Sequence, residues 1–218
     1  ALQNLYDGFN TQNLRGNQIL GDPNMKAQRE NAYEISYSNQ LNDLFAFDIA
    51  AYYRDIYNQE GTKWVPATPT FYYQYTVAEY GNSKGIELTL RKRPTLTDHL
   101  GFMANYTLSN SMGTSSSPAG NYLLPLDPYT GLPSYPLAEY PQPWDRSHRI
   151  NLLLDLIWGP GQGPSIGGIK FLENVNLNFR GRFQTGTPYT RTNASGDPFG
   201  EINSNRLQDF WALDIRLS

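Results

Sequence analysis

"PQPWDRSHRINLLLDLIWGPGQG", residues 141–163, crowds Trp144, Asp145, Arg146, His148 and Arg149 against one end of an apolar run and closes on Trp158, Gly159 and Pro160. Within the run, Ile150, Leu152, Leu154, Leu156 and Trp158 alternate with Asn151, Leu153, Asp155 and Ile157. Successive side chains of a strand point to opposite faces, so this is a β-strand with one apolar and one mixed face, and Asp155 is the single charge inside it. Its length is that of a strand crossing a bilayer aslant, about 9–11 residues. The charges then sit at headgroup level, the Ile and Leu side chains face lipid, and Trp158 marks the far interface, where aromatic residues gather.

The same alternation recurs along the chain. Apolar positions are Tyr33, Ile35, Tyr37 and Leu41 in one stretch and Phe45, Phe47, Ile49, Ala51 and Tyr53 in the next. They continue at Ile86, Leu88 and Leu90, then at Leu100, Phe102, Ala104, Tyr106 and Leu108. Val175, Leu177, Phe179 and Phe183 follow, and the series ends with Trp211, Leu213, Ile215 and Leu217. The intervening positions carry Glu34, Asp48, Arg54, Glu87, Arg91, Asp155, Arg180, Arg182, Asp214 and Arg216.

Composition narrows the field. The 218 residues hold 17 Lys+Arg against 20 Asp+Glu, so there is no basic field for nucleic acid. With no cysteine, disulfide frameworks, thiolate metal sites and cysteine nucleophiles fall away together. Apolar residues are only 39% of the chain and nowhere form the roughly 18–20-residue run that a spanning helix needs. Aromatics reach 14%, with 16 Tyr.

The connections carry topology. The turn at Asn42 and Asp43 is tight and 94–98 is short, whereas 58–83, 110–145 and 188–206 are long. Such alternation of short turns and long loops belongs to membrane barrels. Parity puts the glycine-rich linker 159–173 on the short-turn side. It also makes 71–80 a β extension beyond the membrane, joined to 86–90 by a bulge or turn at Gly81–Gly85. Seven crossings remain, or eight if 71–80 crosses. Single-chain bacterial barrels close with an even number. An eight-stranded barrel is just filled by its side chains, too narrow for the charges above. The expected fold is therefore all-β: an antiparallel transmembrane barrel seen in part, with long extracellular loops and a wide, wet lumen.

Catalytic chemistry has little to build on. The two histidines are His99, beside a turn, and His148, and Asp145 and His148 stand three positions apart on a strand, which points them to opposite faces. No metal ligand set, catalytic group or cofactor is expected. "GPGQGPSIGG" lacks the Gly-Lys-Ser/Thr of a phosphate loop and reads as a flexible linker. Candidate ligand-binding residues are Arg54, Arg91, Asp155, Arg180, Arg182 and Arg216 on the lumen face, where the arginines either pair across strands or hold an anion. Tyr122, Tyr129, Tyr135 and Tyr140 in the long loop offer aromatic faces for stacking. Trp144, His148, Trp158 and Trp211 are assigned to membrane interfaces.

Several stretches resemble TonB-dependent outer-membrane receptors. "GDPNMKAQRENAYEISYSNQL" is similar to that family's Gly-Asn-Pro-x-Leu-Lys-Pro-Glu and Tyr-Glu-x-Gly stretch, departing at Ala27, Gln28 and Ser36. "FDIAAYYRDIYN" resembles its strand ending Tyr-x-x-Asp-Ile, and "YGNSKGIELTLRKR" its Gly-[IV]-Glu-Leu strand. "PWDRSHRINLLLDL" resembles the Asp-x-x-His-x-[IL]-Asn strand of the branch with a carboxypeptidase-regulatory-like N-terminal domain. "GTPYT", the Asn-x-x-Arg of "NSNR" and "LDIRLS" follow in the family's order. The resemblance implies a bacterial outer-membrane barrel of about 22 strands, of which this chain is a C-terminal portion. It also implies a plug, TonB as energy-relaying partner, surrounding outer-membrane lipid, and a small-molecule, sugar or peptide nutrient as ligand. Two other readings stand beside it: a barrel that serves adhesion or envelope assembly without import, and a soluble sandwich that binds carbohydrate through its tyrosines.

Overall fold

The computed structural model describes residues 19–67, 71–95, 97–117, 127, 129–132, 136, 138–196 and 198–218. Seven long strands dominate: β1 (Arg29–Gln40), β2 (Phe45–Pro66), β3 (Phe71–Lys92), β4 (Leu100–Gly113), β5 (His148–Ile157), β6 (Asn176–Gln184) and β7 (Phe210–Leu217). Each pairs antiparallel with its sequence neighbours, giving one meander in the order β7-β6-β5-β4-β3-β2-β1.

One row of partners shows how the faces are sorted. Tyr37 pairs with Ile49, Ile49 with Leu88, Leu88 with Tyr106, Tyr106 with Ile150, Ile150 with Phe183 and Phe183 with Trp211. Every member of the row is apolar or aromatic. The next row on the opposite face runs Ser38, Asp48, Thr89, Asn105, Asn151, Arg182 and Ala212. The apolar face is not covered by protein: Ile35 and Trp211 are each 76% exposed, and Tyr73 is the only buried hydrophobic side chain among the described residues. A soluble sandwich would turn these residues into a shared dry core. A membrane barrel leaves them for lipid.

The register is sheared. Ile49 stands four residues from Phe45, the short-turn end of β2, whereas its row-mate Phe183 stands seven from Asn176, the same end of β6. A sheet can close only if its strands tilt and its pairing staggers in this way.

Both β2 and β3 are 22 residues long, about twice what a tilted crossing needs, so their upper halves project as a hairpin. Residues 71–80 are thus an extension of a crossing strand, as the sequence parity required. The irregularity lies elsewhere than expected, however. Pairing steps from Ile56–Gly81 to Gln59–Glu79 and then Glu60–Val77, with Asn58 at φ 54°, so the bulges sit at 57–58 and Ala78 rather than at Gly81–Gly85. Gly85 instead makes room for a neighbour: a Cβ there would stand 2.6 Å from the Tyr52 hydroxyl. Ile19–Leu20 pairs in parallel with Tyr73–Gln74 on the projecting hairpin.

The short-turn end is held by side chains. Asn42 Oδ1 accepts from the Leu44 and Phe45 amides at 2.9 Å each. Asp98 accepts from Lys92 at 2.5 Å and from the Leu100 amide at 3.2 Å. The glycine-rich 159–173 lies at this end as parity demanded, but it is no featureless linker. Ser165–Ile166 pairs with Ile169–Lys170, and Gln162 Oε1 and Glu173 Oε1 accept from the Gly159 and Gly161 amides.

Candidate functional site

The inward wall carries the polar chemistry. Arg91 and Asp48 meet at 2.7 Å and Arg182 and Asp214 at 3.1 Å, both as diagonal neighbours across adjacent strands. Asp155 accepts from Asn178 Nδ2 at 2.6 Å, and Thr89 donates to Asn105 Oδ1 at 2.9 Å. Arg54 lies 4.0 Å from Glu30 and over the Tyr52 ring. Arg180 and Arg216 have no ion pair among the described residues, because Asp214, opposite Arg180, is turned to Arg182. Arg180 borders an open hollow of about 510 Å³ with Met103, Asn105, Asn151, Leu153 and Asn178. Of the six lumen candidates, then, four are engaged by neighbours and two are free to meet a further partner.

A second set of residues forms the long-loop rim. Asp145, read from the sequence as one of a cluster of headgroup-level charges, is 1% exposed instead. Its Oδ2 pairs with Arg206 Nη2 at 2.5 Å and its Oδ1 accepts from the Ser111 amide at 2.8 Å. Arg206 Nη1 also donates to the Gly186 carbonyl at 3.1 Å, and Asn203 Nδ2 donates to the Pro141 carbonyl at 2.8 Å. The Asp of "WDRSH" and the Asn and Arg of "NSNR" are therefore two halves of one clamp. Gly186 must be glycine here, since a Cβ would stand 1.8 Å from the Leu207 carbonyl oxygen.

The aromatic candidates separate. His148 Nδ1 lies 2.9 Å from the Tyr106 hydroxyl, the two rings stacked on the apolar face. Trp158 lies beside His99 at the short-turn end, and Trp211 is exposed on the apolar face. Trp144 is 54% exposed and borders a small hollow with Gln59 and Gln142. Tyr140 pairs with Gly113 and accepts from Ser116 Oγ at 3.2 Å, and Tyr129 is fully open to solvent. Tyr122 and Tyr135 fall outside the described residues.

Two carboxyls outside the crossing segments are perturbed. Asp98 is held below the usual carboxylate range by its hydrogen bond from Lys92 and then by the Leu100 amide. Asp127 is lowered by the Thr130 and Tyr129 amides, which donate to Oδ1 at 3.0 and 2.8 Å. No group of three or more metal-ligating side chains occurs among the described residues.

Over residues 1–218 the sequence matches the family described as TonB dependent receptor-like, beta-barrel. The chain belongs to the TonB-dependent receptor barrels. Among solved structures it is similar to the FrpB iron transporter from Neisseria meningitidis (F3-3 variant), with a TM-score of 0.55 and 14% identity. That similarity covers 89% of this chain and 24% of FrpB, so the chain spans about a quarter of its solved neighbour and shares its fold. No curated protein sequence matches. In a TonB-dependent receptor barrel, the uncovered apolar face is the lipid face and the polar face the lumen wall, which is the sorting seen in the two rows traced above.

Proposed function

We propose that the chain forms part of the wall of an outer-membrane importer that moves a scarce nutrient through a plugged barrel, with energy supplied through TonB. The observation that supports this best is the reversal of the usual protein interior: apolar rows face out, and a charged wall with two unengaged arginines faces in. Such a wall has no use on a water-soluble protein, where a polar concave face would need no apolar exterior. It suits a lumen that holds a plug and passes a polar solute. The reading involves no covalent chemistry: the wall binds, orients and releases. The Asp145–Arg206 clamp supports it further by bolting the long loops at the mouth, where selection of ligand takes place.

The test is growth and uptake. A strain lacking the intact receptor and a strain that keeps it but lacks a working energy-coupling protein are each supplied with single limiting nutrients, and their uptake is compared with that of the parent. Loss of uptake of one nutrient class in both strains is expected. Undiminished uptake of every nutrient, with a defect only in attachment or envelope integrity, would replace import with the adhesion or assembly reading.

A further inference from the structure

We propose that the small hairpin 165–170, at the short-turn end of the barrel, is a lipid anchor. Its apolar face, Ile166 and Ile169 with Phe171 beside them, lies in the inner leaflet of the outer membrane, against acyl chains just beneath the phospholipid headgroups. The anchor needs the lipid face of the barrel and is independent of import.

The hairpin has one apolar face by construction. Ile166 stands directly opposite Ile169 across the turn Gly167–Gly168, and opposite partners in an antiparallel pair share a face. Ser165 and Lys170 form the next pair and point the other way. Both turn glycines have positive φ, 61° and 85°, the conformation of a tight hairpin turn, and a Cβ on either would meet nothing within 4 Å. The tip is thus clear of the other described residues. Ile166 is 71% exposed, Ile169 73% and Phe171 52%.

Charge has been drawn away from that face. Residues 159–174 hold two ionisable side chains, Lys170 and Glu173, and both turn back to Gly161. Lys170 Nζ donates to the Gly161 carbonyl, and Glu173 Oε1 accepts from the Gly161 amide at 2.5 Å. The same two bonds brace the hairpin at its base.

Position and area select the occupant. Leu100, Leu156, Leu177 and Leu217 pair in one row at the short-turn end of the lipid face. The connection carrying the hairpin springs from just below this row, where Trp158 N donates to the Val175 carbonyl at 2.9 Å. Short turns face the periplasm in such barrels, so the nearest apolar medium is the inner leaflet. A specific protein interface buries about 1,200–2,000 Å² in total, far more than two isoleucines and a phenylalanine offer, which argues against a second copy or a periplasmic protein. A leaflet demands no matching shape, and an uncharged apolar face enters it by about 5–10 Å. Because the barrel already confines the hairpin to the membrane, a small area suffices.

The experiment is collisional quenching on the intact receptor, refolded into vesicles of phosphatidylethanolamine and phosphatidylglycerol. A bimane label is attached at Ile169→Cys and, as a reference in a polar turn of the same end, at Asp43→Cys, each in a receptor with no other cysteine. Phospholipids brominated high on the acyl chain should quench the label at 169 at least about threefold more strongly than at 43, and aqueous iodide should show the reverse order. Adding Ile166→Asn should reduce lipid quenching at 169 about twofold or more. Heat-modifiable gel mobility reports folding, and labelling at Phe171→Cys keeps the test open if Ile169→Cys refolds poorly. Iodide quenching at 169 equal to that at 43 would place the hairpin in water and overturn the anchor. Shielding from both quenchers would reveal a protein occupant and overturn it equally. Neither outcome involves uptake, so the anchor and the import reading fail separately.

Discussion

Asp145 and Arg206, 61 residues apart in the chain, meet in a 2.5 Å ion pair whose acidic side chain is wholly withdrawn from solvent. The pair joins the segment entering β5 to the loop entering β7, and through the Ser111 amide it ties both to the top of β4. It is a structural bolt between loops that no local pattern could have joined.

Removing one partner of such a pair strands the other. Arg206→Met leaves Asp145 buried and uncompensated, at a cost of about 3 kcal/mol, the lower end for a buried pair because Arg206 is itself a third exposed. The loss should be local: protease cleavage within 185–209 should rise sharply in intact cells while the barrel keeps its heat-modifiable mobility. Arg206→Lys should rescue only in part, because a lysine cannot reach Asp145 and the Gly186 carbonyl with separate nitrogens. Unchanged cleavage in Arg206→Met would show that the bolt holds nothing.

The two faces of the sheet make opposite demands on a charge. Leu88→Arg places a cation among lipid-facing side chains and should destabilise the barrel by about 2–4 kcal/mol in denaturant-linked refolding into vesicles. Asn105→Arg, one strand away on the wet face, should cost less than about 1 kcal/mol. Equal costs would mean that the faces are wrongly assigned.

The Lys92–Asp98 contact gives the short-turn end a pH dependence. The folded carboxyl of Asp98 lies below its unfolded value, so its contribution is complete above the ordinary carboxylate pKa, about 3.9, and fades as pH falls through the lowered folded value. Hydrogen exchange at the Leu100 amide, which donates to Asp98, should accelerate only in that acid range, and Asp98→Asn should abolish the pH dependence. A midpoint above pH 4 would contradict the geometry.

The lumen arginines should divide by partnership. Arg91→Gln and Arg182→Gln strand Asp48 and Asp214, respectively, and should lower refolding stability by up to about 1 kcal/mol, as expected for accessible pairs. Among the described residues Arg180 and Arg216 have no ion pair to lose, so in Arg180→Gln and Arg216→Gln stability should hold while nutrient uptake in whole cells falls severalfold. The reverse pattern would assign the unengaged arginines a structural role.

Strand identity and facing were legible because a period of two is written residue by residue: Ile49, Leu88, Ile150 and Leu213 declare their side without knowledge of any partner. The seven crossings and the end on which each connection lies followed from parity. The bulge was displaced because Gly81 and Gly85 look like the natural place for it, while pairing put it at Asn58 and Ala78, neither of which is marked by its neighbours. The clamp was half-visible. Asp145 and Arg206 each stand inside a short motif, but an ion pair spanning two loops leaves no periodic trace.

The paired bulges at 57–58 and Ala78 have an evolutionary consequence. An extra residue in one strand alone would turn everything beyond it inside out. Here each strand carries its own, so both invert together and Trp64 still meets Phe71 on a common side. Matched insertions in the two arms can thus lengthen or shorten the outer hairpin without changing which side chains the wall below turns outward.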